Sequence, residues 1–182
     1  MDTRNFFVMF PDPKRHDIEA VDDYELDSEV IQKLWTGNRI RTWHPEKLHI
    51  TVDHGTKADL LGNPLSWLIV SSRVQKVLDK IAARQVQVLP LPIIRNGSRK
   101  RSDYSVVNVL GTLDVVAGNG KRRQKIAIDK IVLDVEKIPC AANIIRLETH
   151  PLLTVVSESL FDALADSGAT GISFLKLSRE AR

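Results

Sequence analysis

Short apolar runs separated by polar stretches dominate the chain, with few extended helical stripes. Phe6-Phe7-Val8-Met9-Phe10 is closed by Pro11-Asp12-Pro13. Proline removes a ladder donor and favours a turn, so residues 5–10 predict a short buried strand. Val30, Ile31, Leu34 and Trp35 recur at helical spacing behind Asp27 and Ser28, either of which can cap a first turn. Gly37 stands where a left-handed residue ends a helix. The acidic stretch is then expected on the charged face of this helix. Leu48-His49-Ile50-Thr51-Val52 alternates as a half-buried strand does.

Compared with itself, the chain shows an internal correspondence. At a constant offset of 86, Val70 falls on Val156, Ser71 on Ser157, Leu78 on Leu164, Leu89 on Leu175 and Leu91 on Leu177. Each copy has the same physical logic. An apolar strand ends in a serine whose hydroxyl can satisfy the orphan amides of a helix. The helix then places Val74, Val77, Leu78 and Ile81, or Leu160, Phe161 and Leu164, on a core-facing stripe. A turn leads to a second strand, 86–91 or 171–177. Between the copies, Tyr104–Leu110 and Ile126–Val135 are rich in β-branched residues. Asn96-Gly97 and Asn119-Gly120 are hairpin dipeptides. Strands near 86–94, 104–116 and 126–135 are therefore expected to form an antiparallel meander with two basic loops at opposite ends. The fold class is α+β: a mostly antiparallel central sheet flanked by a few helices, with a two-copy strand–helix–strand unit at about 64–91 and 151–177.

Composition narrows the picture. With 182 residues, 43% hydrophobic and 27% charged, the chain is long enough to bury a sizeable core without metal or disulfides. Its single cysteine excludes an internal disulfide framework and points to a reducing compartment. No apolar run reaches the roughly 20 residues that span a bilayer, and the N-terminal run is too short for a signal peptide. A cytoplasmic protein without a membrane partner is expected. Net charge is only +3, but residues 11–30 hold eight acids against two bases and residues 95–125 hold eight bases against two acids. Such polarity steers association rather than folding.

Candidate chemistry is sparse. Ser71 and Ser157 lack a G-x-S-x-G setting and read as helix caps. His44 and His49 are five apart, which on a helix places the second ring about 140° from the first, unlike the four-residue spacing of a zinc-protease helix. His49 and Asp53 would share a strand face, with no third ligand suggested. Gly118-Asn119-Gly120-Lys121 lacks the spacing of a phosphate loop and reads as a hairpin turn. The basic loops carry little aromatic company and no recognition helix, which argues against nucleic acid. Neither catalytic residues, a cofactor, a metal site nor a small-molecule substrate is expected. Trp35, Trp43 and Trp67 read as core or half-buried anchors, with Trp43 also a candidate interface hot spot.

Several elements together resemble a known family. They are Asp59 to Leu65, Ile69-Val70-Ser71-Ser72-Arg73 with Leu78, Val88-Leu89-Pro90, Tyr104 to Leu110 running to Leu113-Asp114, Val156-Ser157-Glu158 with Leu164, and Thr170-Gly171-Ile172-Ser173-Phe174. In order and spacing, residues 46–177 resemble the bacterial immunity proteins of polymorphic toxin systems, a family formerly of unknown function. The first 45 residues match only loosely, and Val115-Val116 followed by the Gly-rich turn departs from the family pattern. The resemblance implies a non-catalytic, cofactor-free cytoplasmic protein that binds and neutralises a cognate toxin. On this basis residues 1–45 form an N-terminal strand and acidic helix packed on an immunity-like α+β domain, 46–182, or the two run together as one domain, 1–182. One dominant protein partner is expected: a toxin, or alternatively an intracellular enzyme regulated in a developmental or signalling pathway. The candidate contact residues are Asp22, Asp23, Glu25 and Asp27 on the acidic side, Arg99, Lys100, Arg101, Arg122 and Arg123 on the basic side, and Trp43.

Overall fold

A computed structural model describes residues 4–12, 21–24, 28–44, 48–50, 58–63, 65–91, 93–95, 98–100, 103–118 and 126–180. In chain order the elements are β1 (Phe6–Pro11), β2 (Val21–Tyr24), α1 (Ser28–Thr36), β3 (Leu48–Ile50), β4 (Leu60–Leu61), β5 (Leu68–Ser71), α2 (Ser72–Ile81) and β6 (Val86–Pro90). There follow β7 (Ile93–Arg95), β8 (Ser98–Lys100), β9 (Tyr104–Val109), β10 (Val132–Leu133), β11 (Ile144–Leu147), β12 (His150–Ser157), α3 (Glu158–Asp166), β13 (Ile172–Lys176) and β14 (Ser178–Arg179).

Two four-stranded antiparallel sheets carry the fold, in the orders β4-β5-β9-β6 and β11-β12-β1-β13. They have the same internal plan. Each strand–helix–strand unit leaves a gap between its two strands that a third strand fills, β9 in the first and β1 in the second. Val70 pairs with Ser105 and Val86 with Val109, while Val156 pairs with Phe7 and Ile172 with Pro11. The filling strands therefore sit in one register relative to their units, although β9 comes after its unit and β1 comes from the far end of the chain. The buried helix positions also correspond, Val74 and Leu78 in α2 with Leu160 and Leu164 in α3.

One core cluster joins α2, α3 and one face of each sheet, with Val70, Leu78, Val107, Val156 and Leu164 among its members. Phe161 of α3 stacks on Phe7 of β1 at 4.6 Å and meets Phe174 of β13 edge-on at 4.8 Å. These aromatic pairs fix the helix on its sheet beyond simple burial. On the opposite face of the first sheet, Leu34 of α1, Ile40 and Trp67 pack over Ile69 and Val106. Gly37 makes this possible. Its φ is +68°, and a Cβ there would lie 2.6 Å from the Val109 carbonyl oxygen and the Gly111 nitrogen.

Four expectations need correction. The strand begun at Tyr104 stops at Val109 instead of running to 116, because the chain turns at Gly111, whose φ is +77°. The strand expected at 86–94 divides into β6 and β7. The stretch 126–135 is not a third meander strand. It forms a 3-10 turn at Ile128–Lys130, the two-residue β10 paired in parallel with β14, and a second 3-10 turn at Val135–Lys137. Its Ile131, Leu133 and Val135 are instead buried beneath the second sheet with Val8, Ile145 and Val155. β-Branched residues suit any half-buried extended surface, so their enrichment did not require a ladder. Asp22 and Asp23 also lie on a strand, β2, paired with β3, and not on a helix face.

Candidate functional site

Ser71 and Ser157 end β5 and β12 in extended conformation and cap α2 and α3, accepting from the Arg73 amide at 3.2 Å and the Leu160 amide at 3.3 Å. Their own protons are committed too. Ser71 donates to the Asp59 carboxylate at 2.5 Å, and Ser157 donates to the Asn143 side-chain oxygen at 2.9 Å. The backbone repeats the relation, with the Ser71 amide on the Asp59 carbonyl and the Ser157 amide on the Asn143 carbonyl. Both hydroxyls thus serve as structural links, and neither has the free geometry of an activated nucleophile.

The same two side chains tie the units together. Asp59 accepts from the Thr170 amide at 2.8 Å and the Thr170 hydroxyl at 3.2 Å, in the turn after α3, and Arg73 stands 3.8 Å away. Asn143 donates to the Ile81 carbonyl at the end of α2, while Gln85 accepts from the Asn143 and Ile144 amides. Burial pushes the Asp59 carboxyl upward, but the bonds from Ser71 and Thr170, with Arg73, outweigh it and hold its pKa below the ordinary value. Gly171, at φ +74°, completes this seam, since a Cβ would meet the Ala58 Cβ at 2.6 Å. Tyr104 donates to the Ala58 carbonyl at 2.6 Å, and the buried Asn108 amide donates to the Asn38 carbonyl.

The concave feature lies elsewhere. β1 pairs with β12 only as far as Met9 and Thr154. Phe10 and Pro11 continue beside β13, but Leu153 and Leu152, next in register on β12, do not pair with them. A groove of about 670 Å³ occupies this divergence, lined by Phe10, Pro11, Leu152, Leu153, Trp67 and Ile128 among others. Residues 66–68 and 152–154 both line it, and they are equivalent at the 86-residue offset. The correspondence breaks in the connection before them. Leu61 pairs with Ile69 and Ile145 with Val155, so the second hairpin is two residues longer. Among the described residues the large exposed hydrophobics are Ile128, 41% exposed, and Leu152, 46% exposed, and both belong to this groove.

Two buried donors near the groove lack an acceptor among the described residues, the Trp67 Nε1–H and the Arg146 Nε–H. Trp67 lines the groove itself. Arg146 faces Thr154 across β11 and β12 and donates from its guanidinium to the Pro151 carbonyl. Desolvation lowers its pKa to about 10, so it stays charged at neutral pH.

The residues singled out by sequence are distributed differently. Trp43 is half-buried against the α1 cluster, and its indole N–H donates to the Pro90 carbonyl at 2.7 Å. Asp22 and Asp23 lie on β2, and Arg99 and Lys100 on β8. Their hairpins are neighbours, since β3 lies beside β7. Glu25, Asp27, Arg101, Arg122 and Arg123 lie outside the described residues, as does Asp53. Among the described residues no three His, Cys, Asp or Glu side chains are grouped to hold a metal, and no helix is long and apolar enough to cross a membrane. Sequence reasoning missed the groove, because Leu152 and Ile128 are apolar letters indistinguishable from core.

Of the residues that carry the family resemblance, Asp59, Ser71, Ser157, Thr170 and Gly171 lie at the seam between the two units, Tyr104 and Asn108 tie β9 to Ala58 and Asn38, and Val70, Leu78 and Leu164 pack in the shared core. No curated protein matches the chain. A family model described as Immunity protein family (Imm11) matches residues 22–179, reaching further toward the N-terminus than the resemblance at 46–177. With residues 22–179 matched, most of its length, the chain belongs to this immunity protein family.

Proposed function

We propose that this chain neutralises a cognate bacterial toxin in the cytoplasm by binding it, without catalysis or cofactor. The observation that carries the reading is the family match over residues 22–179. The rim of exposed apolar side chains beside a groove supports it, since such patches mark interaction surfaces. Protection requires a tight complex. Nanomolar affinity corresponds to about 12 kcal/mol, and a standard interface buries about 800 Å² on each partner. The charged segments, Asp22, Asp23, Glu25 and Asp27 or Arg99, Lys100, Arg101, Arg122 and Arg123, supply salt-dependent steering, and apolar anchors, Trp43 among them, supply residence time.

The test is co-expression with candidate toxin domains from the same genome, in a sensitive strain, together with titration of the purified proteins. Restored growth and a one-partner complex of nanomolar affinity are expected. Unrelieved toxicity with no complex would refute the reading, and a stable complex with a host enzyme instead would transfer the chain to a regulatory role.

A further inference from the structure

We propose that the outer edge of β13 is the toxin-docking site, and that it takes an extended, apolar segment of the toxin as an added strand of the second sheet, with an acidic side chain opposite Lys176. The proposal rests on the toxin-neutralising reading and gives it a location. Three observations converge there.

First, β13 is last in its sheet, and among the described strands it pairs only with β1. The Leu177 amide donates to the Phe6 carbonyl and the Asp12 amide to the Gly171 carbonyl, which sets the phase of this ladder. Alternate residues of an antiparallel strand turn their main chains to the same side. Gly171, Ser173, Leu175 and Leu177 therefore face β1, and Ile172, Phe174 and Lys176 point their N–H and C=O groups outward. None of these outward groups has a hydrogen-bond partner among the described residues. The free stretch spans about 13 Å, room for a strand of about five residues.

Second, the other outer edges of the two sheets are blunted by the chain itself. On β11, the outward Ile144 amide donates to the Gln85 side chain at 3.0 Å, and the outward Arg146 carbonyl accepts from the Leu113 amide at 2.9 Å. β4 is only two residues long. On β6, the counterpart of β13, the outward series ends at Pro90, which has no N–H and whose carbonyl accepts the Trp43 indole N–H. At the 86-residue offset Lys176 stands where Pro90 stands, so β13 lacks the device that closes β6. Its register with β1 also runs without a shift. An unpaired edge with neither proline nor bulge is a template for another strand, and strand addition is a recurring mode of peptide recognition. Third, the side chains along this edge specify the segment. Ile172 and Phe174 are only half-buried against the shared core, with Phe174 edge-on to Phe161 of α3. Apolar side chains on an added strand cover them. Lys176 is exposed at the end of the row and forms no ion pair with the described residues, so an acid across from it completes a cross-strand charge pair. A small ligand offers no run of main-chain groups to match this edge.

The test uses the full chain and, as probe, the catalytically inactivated form of the toxin domain that co-expression shows it to neutralise. Amide exchange is followed by NMR in the free and bound protein. The Ile172, Phe174 and Lys176 amides are expected to exchange at least 10-fold more slowly in the complex, while those of Ser173 and Leu175, already facing β1, change little. Lys176→Pro transplants the device that blunts β6 to an exposed position, removing no bond to β1, and is expected to weaken binding at least 30-fold. Lys176→Ala keeps the N–H and loses only the charge, which is expected to weaken binding about 3-fold. Arg84→Ala, exposed in the turn after α2, is the control and is expected to bind unchanged. Should Lys176→Pro fold poorly, amide exchange in the wild-type complex decides alone. If the outward amides gain no protection, or a folded Lys176→Pro binds like wild type, docking is elsewhere and this proposal falls while the immunity reading stands. If no toxin domain is neutralised or bound, both fall together. Protection of the same amides in a concentration-dependent dimer without toxin would make a second copy the occupant and likewise overturn it.

Discussion

Replacing Ser71 or Ser157 with alanine removes chemically equivalent caps that differ in one partner. Each substitution forfeits an N-cap bond, worth about 1 kcal/mol. Ser71 also gives up a bond to the Asp59 carboxylate, and hydrogen bonds to charged groups are worth about 1.5–3 kcal/mol. Ser157 gives up a bond to a neutral amide oxygen, worth about 0.5–1.5 kcal/mol. Ser71→Ala is therefore expected to cost about 3 kcal/mol and Ser157→Ala about 2, a gap near 1 kcal/mol. In urea unfolding, a slope of about 2 kcal/mol per molar converts that gap to a midpoint difference of about 0.5 M. Asp59→Asn makes the first seam resemble the second, so in that background the Ser71→Ala cost falls to the Ser157→Ala value. The pH dependence follows from the sign of the Asp59 shift. Its folded pKa lies below the ordinary 3.8, so its ionised form contributes stability that is present above that value. That contribution fades as pH falls from about 5 through 3.8 and on through the lower folded value. The gap between the serine variants should close over the same interval. Equal losses at pH 7, or a gap that persists after the Asp59 carboxyl has been protonated in the folded state, would refute the argument that carboxylate charge distinguishes the two caps.

Other consequences can be measured alongside. Gly171→Ala forces a side chain into φ +74° and a 2.6 Å approach to Ala58, and should cost about 3 kcal/mol in thermal or urea unfolding. Gly111→Ala, also at positive φ but with nothing within 4 Å of its Cβ, should cost only about 1–2 kcal/mol, so the difference isolates the steric part. Leu78→Ala and Leu164→Ala occupy equivalent sites in the shared core and should each cost about 2–5 kcal/mol with a common loss of cooperativity; unfolding of one unit alone would show that the seam does not couple them. Reversing the charges of Asp22 and Asp23 should slow toxin association at low salt and leave dissociation unchanged in stopped-flow mixing. An unchanged association rate would remove the acidic segment from the steering account.

The strand–helix–strand units, their serine caps and the α1 helix ending at Gly37 were written locally, in periodicity and in the few residue types that satisfy a helix end. Those signals survive because capping and amphipathic burial depend on neighbours three or four residues apart. The identity of the strand completing each sheet was not local. Nothing in Phe6–Pro11 says that it will take, beside β12 and β13, the place that β9 takes beside β5 and β6. The stretch 126–135 shows the opposite failure, since its alternating apolar residues matched a strand but found a sheet face to cover instead. Asp59 and Asn143 became equivalent only when β4 and β11 were placed beside their serines, at an offset of 84 where the rest of the unit keeps 86. The groove is wholly tertiary. Pairing across β1 and β12 is decided by residues more than 140 apart, and where it stops determines which leucines face water. Sequence fixes what each segment can bury; only the assembled chain decides what is left uncovered.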